Sequence, residues 1–348
     1  MKTQQFKIIL IAFITVLSTS CNNLLFTSLD VLRPAKVAFA IDANNLLIVN
    51  NTAVQPSNYG HKTDLINNKV KNINLDTDSL SIYCLGALAE DLESKDFFST
   101  VQLIPNSINK KSNFFKPVEL NNDSLKYLYS SNNANVILSL DYFKVNDNLS
   151  EVFLNESSTF LATLELRIET SWSIHYLNKT KISTIQFKDT LFWDSESYER
   201  KKAMSELPKR TDAIIDGALN VGHICVNRFV PYWEKVDRYF FNPNNKLMKQ
   251  GMDSVYVKNW KSAISLWEKA LIKTSNIGIK AQAANNIAIG YEITGDMDKA
   301  LEYASQSYYF FGQSSFIDYE SFIRLSNYMK ELSQRKKEIE ILKIQIGE

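Results

Sequence analysis

The sequence predicts an α+β domain, a mixed or antiparallel sheet with helices on one face, followed by an all-helical domain. Three observations carry this prediction. From Ala162 to Tyr176 the even positions are Ala162, Leu164, Leu166, Ile168, Trp172, Ile174 and Tyr176, broken only by Thr170, while the odd positions are polar. A period of two over so long a run marks an antiparallel strand with one wet face. From Thr211 to Phe229 the apolar residues Ile214, Ala218, Val221 and Cys225 keep helical spacing. Beyond about residue 244, alternation gives way to small and aromatic residues that recur at a long interval, Ala263–Trp267–Ala270 and then Ala288–Tyr291–Gly295–Ala300.

The chain opens with Lys2 and Lys7, an apolar run from Ile8 to Leu17, and the small residues Ser18, Thr19 and Ser20. A run of about ten apolar residues is too short for a bilayer, which takes about twenty, so 1–20 reads as a secretory signal peptide. Cys21 follows directly. This arrangement resembles the bacterial lipobox, with Ser18 where that pattern has an aliphatic residue and Leu17 one place earlier. The resemblance implies cleavage before Cys21, acylation (palmitate) of its sulfur and new amino group, and a lipid-anchored place in the cell envelope. The Asn-Asn-Leu-Leu sequence of residues 22–25 lacks an acidic surface-export cluster and an aspartate after the cysteine. The resemblance therefore implies the outer membrane, facing the periplasm. Residues 21–33 are expected to be a lipidated tether of at most about 40 Å.

The α+β domain is expected over 34–241. Pro34–Ala40 and Leu46–Asn50 read as strands. Asp78-Ser79 can cap a helix running to about Phe98, with Leu85, Leu88 and Leu92 on one face. Thr100–Ile104 is a strand stopped by Pro105, Asp123–Ser130 a short helix, and Val136–Val145 a strand. The alternating strand 162–176 turns at Asn178-Lys179-Thr180 into Lys181–Trp193. In the closing helix, Gly217 and Gly222 let the backbone lie close to the sheet. This order resembles, in topology alone, the sheet-and-helix domain of the curli-secretion lipoprotein and of the Tol translocation protein.

The helical domain is expected over 244–348. Gly251, Ala263, Trp267, Ala270 and Leu271, then Ala288, Tyr291, Gly295 and Ala300, resemble tetratricopeptide (TPR) repeats. Ala263 and Ala300 stand about 37 residues apart, against a family period of about 34. The first copy has Lys258 where the turn glycine belongs and Ser254 where the tyrosine belongs. Two repeats do not bury their own faces. The stripe Leu325, Met329, Leu332, Ile339, Leu342 and Ile346 is therefore expected to form a capping helix. Signal, α+β body and repeat tail together resemble Bacteroides-type envelope lipoproteins, with LRPAKV and VPYWEKVDRYF (Val230–Phe240) adding to the likeness.

The resemblance to TPR repeats places Met248, Met252, Val255, Tyr256, Asn285, Ile289 and Glu292 on a concave face. They form an apolar groove with adaptable methionines, the candidate site for a protein or peptide of the envelope. It differs from the charged carboxylate clamp of some TPR proteins, whose opening lysine and asparagine are here Met248 and Met252.

Composition excludes few classes. With 45% hydrophobic and 22% charged residues the chain reads as globular. A net charge of +1 points to no nucleic-acid partner. His61, His175 and His223 have no zinc-site spacing, and Cys84 and Cys225 read as small buried hydrophobes, with a bridge as the alternative. No GxSxG, HExxH or GxGxxG motif occurs. Glu165 and Glu169 on one strand stand about 13 Å apart and read as a salt-bridged face around Arg167. The leading expectation is a lipid-anchored adaptor with no catalytic residue, metal or cofactor. A glycan-binding lipoprotein comes second, through aromatics such as Trp193, Tyr198 and Tyr308–Phe311. A hydrolase comes third.

Overall fold

The computed structural model describes residues 24–37, 39–40, 42–66, 69–177, 179–313 and 319–347. Cys21 and the turn residue Asn178 lie outside the described residues. The chain is an α+β fold followed by a helical region. It divides into two compact units, Ala35–Pro231 with Gln345–Gly347, and residues 24–34 with Tyr232–Ile344.

The first unit is built on a mixed sheet in the order β4-β3-β6-β2-β5, with β7 and β8 added beside β6. Its strands are β2 (Asn45–Asn50), β3 (His61–Asp64), β4 (Lys71–Asn72), β5 (Thr100–Ile104), β6 (Val136–Leu154), β7 (Thr159–Tyr176) and β8 (Lys179–Ser197). β2 pairs in parallel with both β5 and β6, and β6, β7 and β8 form an antiparallel meander. The alternation read from 162–176 marks β7, whose Leu164, Leu166, Ile168, Trp172 and Ile174 are all buried.

Helix α1 (Leu80–Ser94) packs Cys84, Leu85 and Leu88 in one core with Leu46 and Ile48 of β2, and α4 (Arg210–Phe229) adds Ile214, Ala218, Val221 and Cys225. Alternate residues of a strand face opposite ways. Accordingly Leu47 and Val49 pack on the other face, with Leu128 and Tyr129 of α2 (Asn122–Asn132). A short helix, α3 (Arg200–Glu206), precedes α4. Cys84 and Cys225 are free, buried thiols. Burial pushes the Cys225 thiol up to about 12, so it stays protonated and packs as a small apolar group.

Several boundaries differ from expectation. The described residues of 34–40 form no strand, and His61–Asp64, Lys71–Asn72 and Arg200–Glu206 are elements with no strong periodic signal. β7 is wet on one face only along part of its length. Arg167 is exposed and bonds Glu165 at 2.6 Å, but Ser171, Ser173 and His175 at the other end are buried. Asn121, not Asp123, caps α2 by accepting from Ser124 N, and Ser79 heads α1 with no side-chain cap.

The two glycines of α4 act at different places. A Cβ on Gly217 would stand 2.2 Å from Leu166 Cδ2 of the sheet, whereas one on Gly222 would stand 2.3 Å from the Cys84 carbonyl oxygen. Gly222 thus sets the distance between α4 and α1. Gly222→Ala is expected to lower the unit's stability by about 1–3 kcal/mol, because a backbone carbonyl must move. Urea denaturation followed by fluorescence measures this, and a neutral result would mean the helix pair has slack.

Candidate functional site

The helical unit consists of α5 (Lys246–Tyr256), α6 (Trp260–Lys273), α7 (Ile277–Ile293), α8 (Met297–Gly312) and α9 (Tyr319–Ile346). It also holds a ribbon in which β1 (Leu24–Arg33) pairs antiparallel with β9 (Tyr232–Phe241). The first four helices form two hairpins with matching corners, and α9 follows them. Lys258 N bonds Val255 O and Asn259 N bonds Ser254 O, and one repeat later Gly295 N bonds Glu292 O and Asp296 N bonds Tyr291 O. Both corners use a left-handed residue, Lys258 at φ 56° and Gly295 at φ 88°. Asn259 and Asp296 then cap the second helix of each pair. Lys258 thus takes the turn glycine's conformation with a side chain attached.

The predicted groove is not open. Met248, Met252, Asn285, Ile289 and Glu292 are buried, Val255 is half-buried, and only Tyr256 is exposed. β9 lies along these helices and fills the groove. Phe240 packs against Trp260 and Trp267 with ring centroids 6.2 and 5.6 Å away. Asn285 Nδ2 donates to Tyr239 O at 3.0 Å. Asn286 grips Phe241 twice, accepting from its N–H at 2.8 Å and donating to its carbonyl at 2.7 Å. Asn286 therefore does what a neighbouring strand would do for β9. The expected tether is corrected by the same contacts, since residues 24–33 are the strand that pairs with β9. Residues 232–241 likewise group with the helices in the second compact unit.

Glu292 is the electrostatic centre of this unit. Its carboxylate accepts two hydrogen bonds from Arg238 of β9, both at 2.7 Å, one from Tyr328 at 2.8 Å, and a further one from Arg335 of α9. Arg238 also reaches Glu331 at 2.9 Å. Burial alone would raise the Glu292 pKa, but the hydrogen bonds and charges of Arg238 and Arg335 outweigh it and hold the carboxyl below its ordinary range. The same partnership moves Arg238 upward, against its own burial.

One cavity stays open beside the filled groove, about 260 Å³ in volume, between the ribbon, α7 and α9. Ile289, Phe241 and Leu325 supply apolar wall, while Asn285, Arg324 and Asn327 supply polar edges. Arg324 stacks over the Tyr239 ring at 5.7 Å. Asn285 and Ile289 are the members of the predicted groove that line it.

The first unit holds polar groups that the sequence reading passed over. Asp141, at the register shift of β6 against β7, accepts from Asn51 at 2.7 Å, Ser139 at 2.9 Å and Ser173 at 2.5 Å. Burial raises Asp141 against these bonds, and burial lowers His175. Ser139 stands between Asp141 and His175 Nε2, at 3.2 Å from the latter. A nucleophilic triad needs the imidazole between serine and carboxylate. Here the serine is in the middle and fully buried, so the set stabilises the bulge. A second buried set joins His61, 2.5 Å from Asp147, with Arg210 also on Asp147. Of the aromatics considered for sugars, Trp193 packs against the core, Phe310 is half-buried and Phe311 is buried, leaving Tyr198, Tyr308 and Tyr309 exposed. Among the described residues no His, Cys, Asp and Glu cluster could hold a metal, and no helix is long and apolar enough to cross a membrane.

Fold and site together define a two-unit protein, a mixed α/β sheet unit and a helical-hairpin unit with its own strand in the groove. Residues 43–241 match the family model described as a domain of unknown function, DUF8603, and the chain belongs to that family. Residues 249–334 match a second model, also described as a domain of unknown function, DUF6340. No match is found among curated proteins.

Replacing Glu292 by Gln leaves Arg335 without its carboxylate and Arg238 with Glu331 alone, and is expected to cost about 3 kcal/mol at neutral pH. The folded carboxyl titrates below its unfolded value. Its contribution is therefore complete above the ordinary glutamate pKa of about 4.3 and is lost as pH falls through the depressed value. Denaturation curves of wild type and Glu292→Gln should converge on acidification. A gap that persists or widens would contradict this role.

Proposed function

We propose that this protein is a lipid-anchored adaptor of the cell envelope, with Cys21 as its membrane attachment and the cavity beside Ile289 as its peptide-binding site. The observation that carries the reading is the cavity itself. It has apolar walls, polar edges and a volume suited to one large apolar side chain of an extended segment. It also lies where the repeat pattern directed attention, through Asn285 and Ile289. The rest of the predicted groove serves the protein's own strand, so the partner is an envelope protein that inserts an anchor residue there. Multiple acyl chains on Cys21 would give stable attachment at the outer membrane where one would not.

Two measurements test this reading. A photo-crosslinking residue at the exposed position Asn327, on the mouth of the cavity, is expected to give one discrete adduct in intact cells. The same residue at Lys201, in exposed α3, is expected not to give that adduct. Equal labelling from both positions, or none from 327, would sink the peptide site. Separately, Cys21→Ala should abolish incorporation of a radiolabelled fatty acid, and a variant that still incorporates it would disprove the anchor.

A further inference from the structure

The carboxyl ends of β2 and β5 open onto a crevice in the first unit. These strands are parallel neighbours. The chain leaving β2 first forms β3 and β4 and then returns through α1 on one face of the sheet, and the chain leaving β5 returns through α2 on the other. Neighbouring parallel strands whose connections part in this way leave a gap at their carboxyl ends, where open α/β sheets hold ligands. Here the gap is a cavity of about 260 Å³, bounded by the residues after β2, those after β5 and the start of α1.

Its polar lining is held in place from behind. Asn50, buried at the end of β2, donates to Ser81 Oγ at 3.0 Å and to the Pro105 carbonyl at 2.8 Å, and accepts from Thr52 Oγ1 at 2.8 Å. The single Thr52 proton goes to Asn50. The Ser81 hydroxyl accepts from Asn50 and stands 3.4 Å from Thr52 Oγ1, and among the described residues no hydrogen bond donated by Ser81 is found. Thr77 Oγ1, also in the lining, is buried and has no hydrogen-bond partner among the described residues. Ser79 heads α1 without turning its hydroxyl back to cap the helix. From the loop after β5, Lys110 brings its ammonium to 2.5 Å from Asp78 at the mouth, and both side chains are solvent-exposed.

Hydroxyl protons without good acceptors, the positive end of a fifteen-residue helix and one ammonium converge on this space. We propose that the crevice binds the oxyanion group, phosphate or carboxylate, of a small polar molecule. The anion would take Lys110 from Asp78 and accept from Ser81 and Thr77, completing bonds that the lining residues leave unmade among themselves. Asp78 opposes an incoming negative charge, so it limits affinity and exchanges Lys110 with the ligand. This site is independent of the peptide cavity of the helical unit.

The test is calorimetric titration of the full-length protein with inorganic phosphate, ribose 5-phosphate, glucuronate and, as the neutral arm, ribose. Saturable binding is expected with the phosphate arms or with glucuronate, and which of them binds identifies the oxyanion; ribose is expected to give none. Loss of a charge-assisted hydrogen bond should weaken binding roughly tenfold or more in Lys110→Gln and in Ser81→Ala. Asp78→Asn should tighten it. Lys110 and Asp78 are exposed, so these two variants keep the test valid even if Ser81→Ala fails to fold. Absence of saturable heat with all three anions, equal binding of ribose, or affinities unmoved by Lys110→Gln and Asp78→Asn would overturn the proposal.

Discussion

The helical unit depends on one buried carboxylate. Glu292 has no exposed side-chain surface, and an ion taken out of water is tolerated only when its lone pairs are filled. Arg238 from β9, Tyr328 and Arg335 from α9 fill them. Three elements far apart in sequence are thereby fixed around one atom group. Strand β9 cannot leave without stranding a charge, and β1 stays because it pairs with β9 along its whole length. Arg33 at the end of β1 adds to the same pattern, reaching Glu234 at 2.7 Å and Glu338 at 2.9 Å.

This arrangement changes what the amino-terminal end means for the proposed anchor. Only Asn22 and Asn23 separate Cys21 from the first residue of β1. A lipid on Cys21 would then sit two residues from folded structure, rather than at the end of a long tether. Such a short link constrains how far the helical unit can stand from the bilayer surface. With such an anchor, force on it would be passed to the β1–β9 ladder.

The sheet and the helices were legible where a single period persisted. The alternation of β7, the stripe of α4, Thr100–Ile104 and the corner at Gly295 all follow from spacing and turn chemistry alone. The missed elements are those whose reason is non-local. β1 reads as a tether because its pairing partner lies some two hundred residues later, and nothing within 24–33 announces β9. β3, β4 and α3 are too short for a period to emerge. The groove was legible as a surface that needs covering, through Met248, Met252 and Ile289, but its occupant was not. The signal lay in Asn286, a fully buried amide beside the apolar stripe of α7, whose two hydrogen bonds to Phe241 serve as the clamp for a strand. In the first unit, Ser171, Ser173 and His175 alternate as an exposed face would, yet all three are buried, and Asp141 at the bulge holds Ser173 directly and His175 through Ser139.

Strand β9 is an integral part of the helical unit and fills the groove that α5 and α7 would otherwise expose. Hydrogen exchange measured on peptides spanning Tyr232–Phe241 and Ile277–Ile293 tests it most directly. If β9 is an integral part of the unit, its amides exchange as slowly as those of α7 and the two segments open together in one cooperative step. If β9 exchanges at loop-like rates while α7 stays protected, the strand is a displaceable occupant, and the groove itself becomes the binding surface.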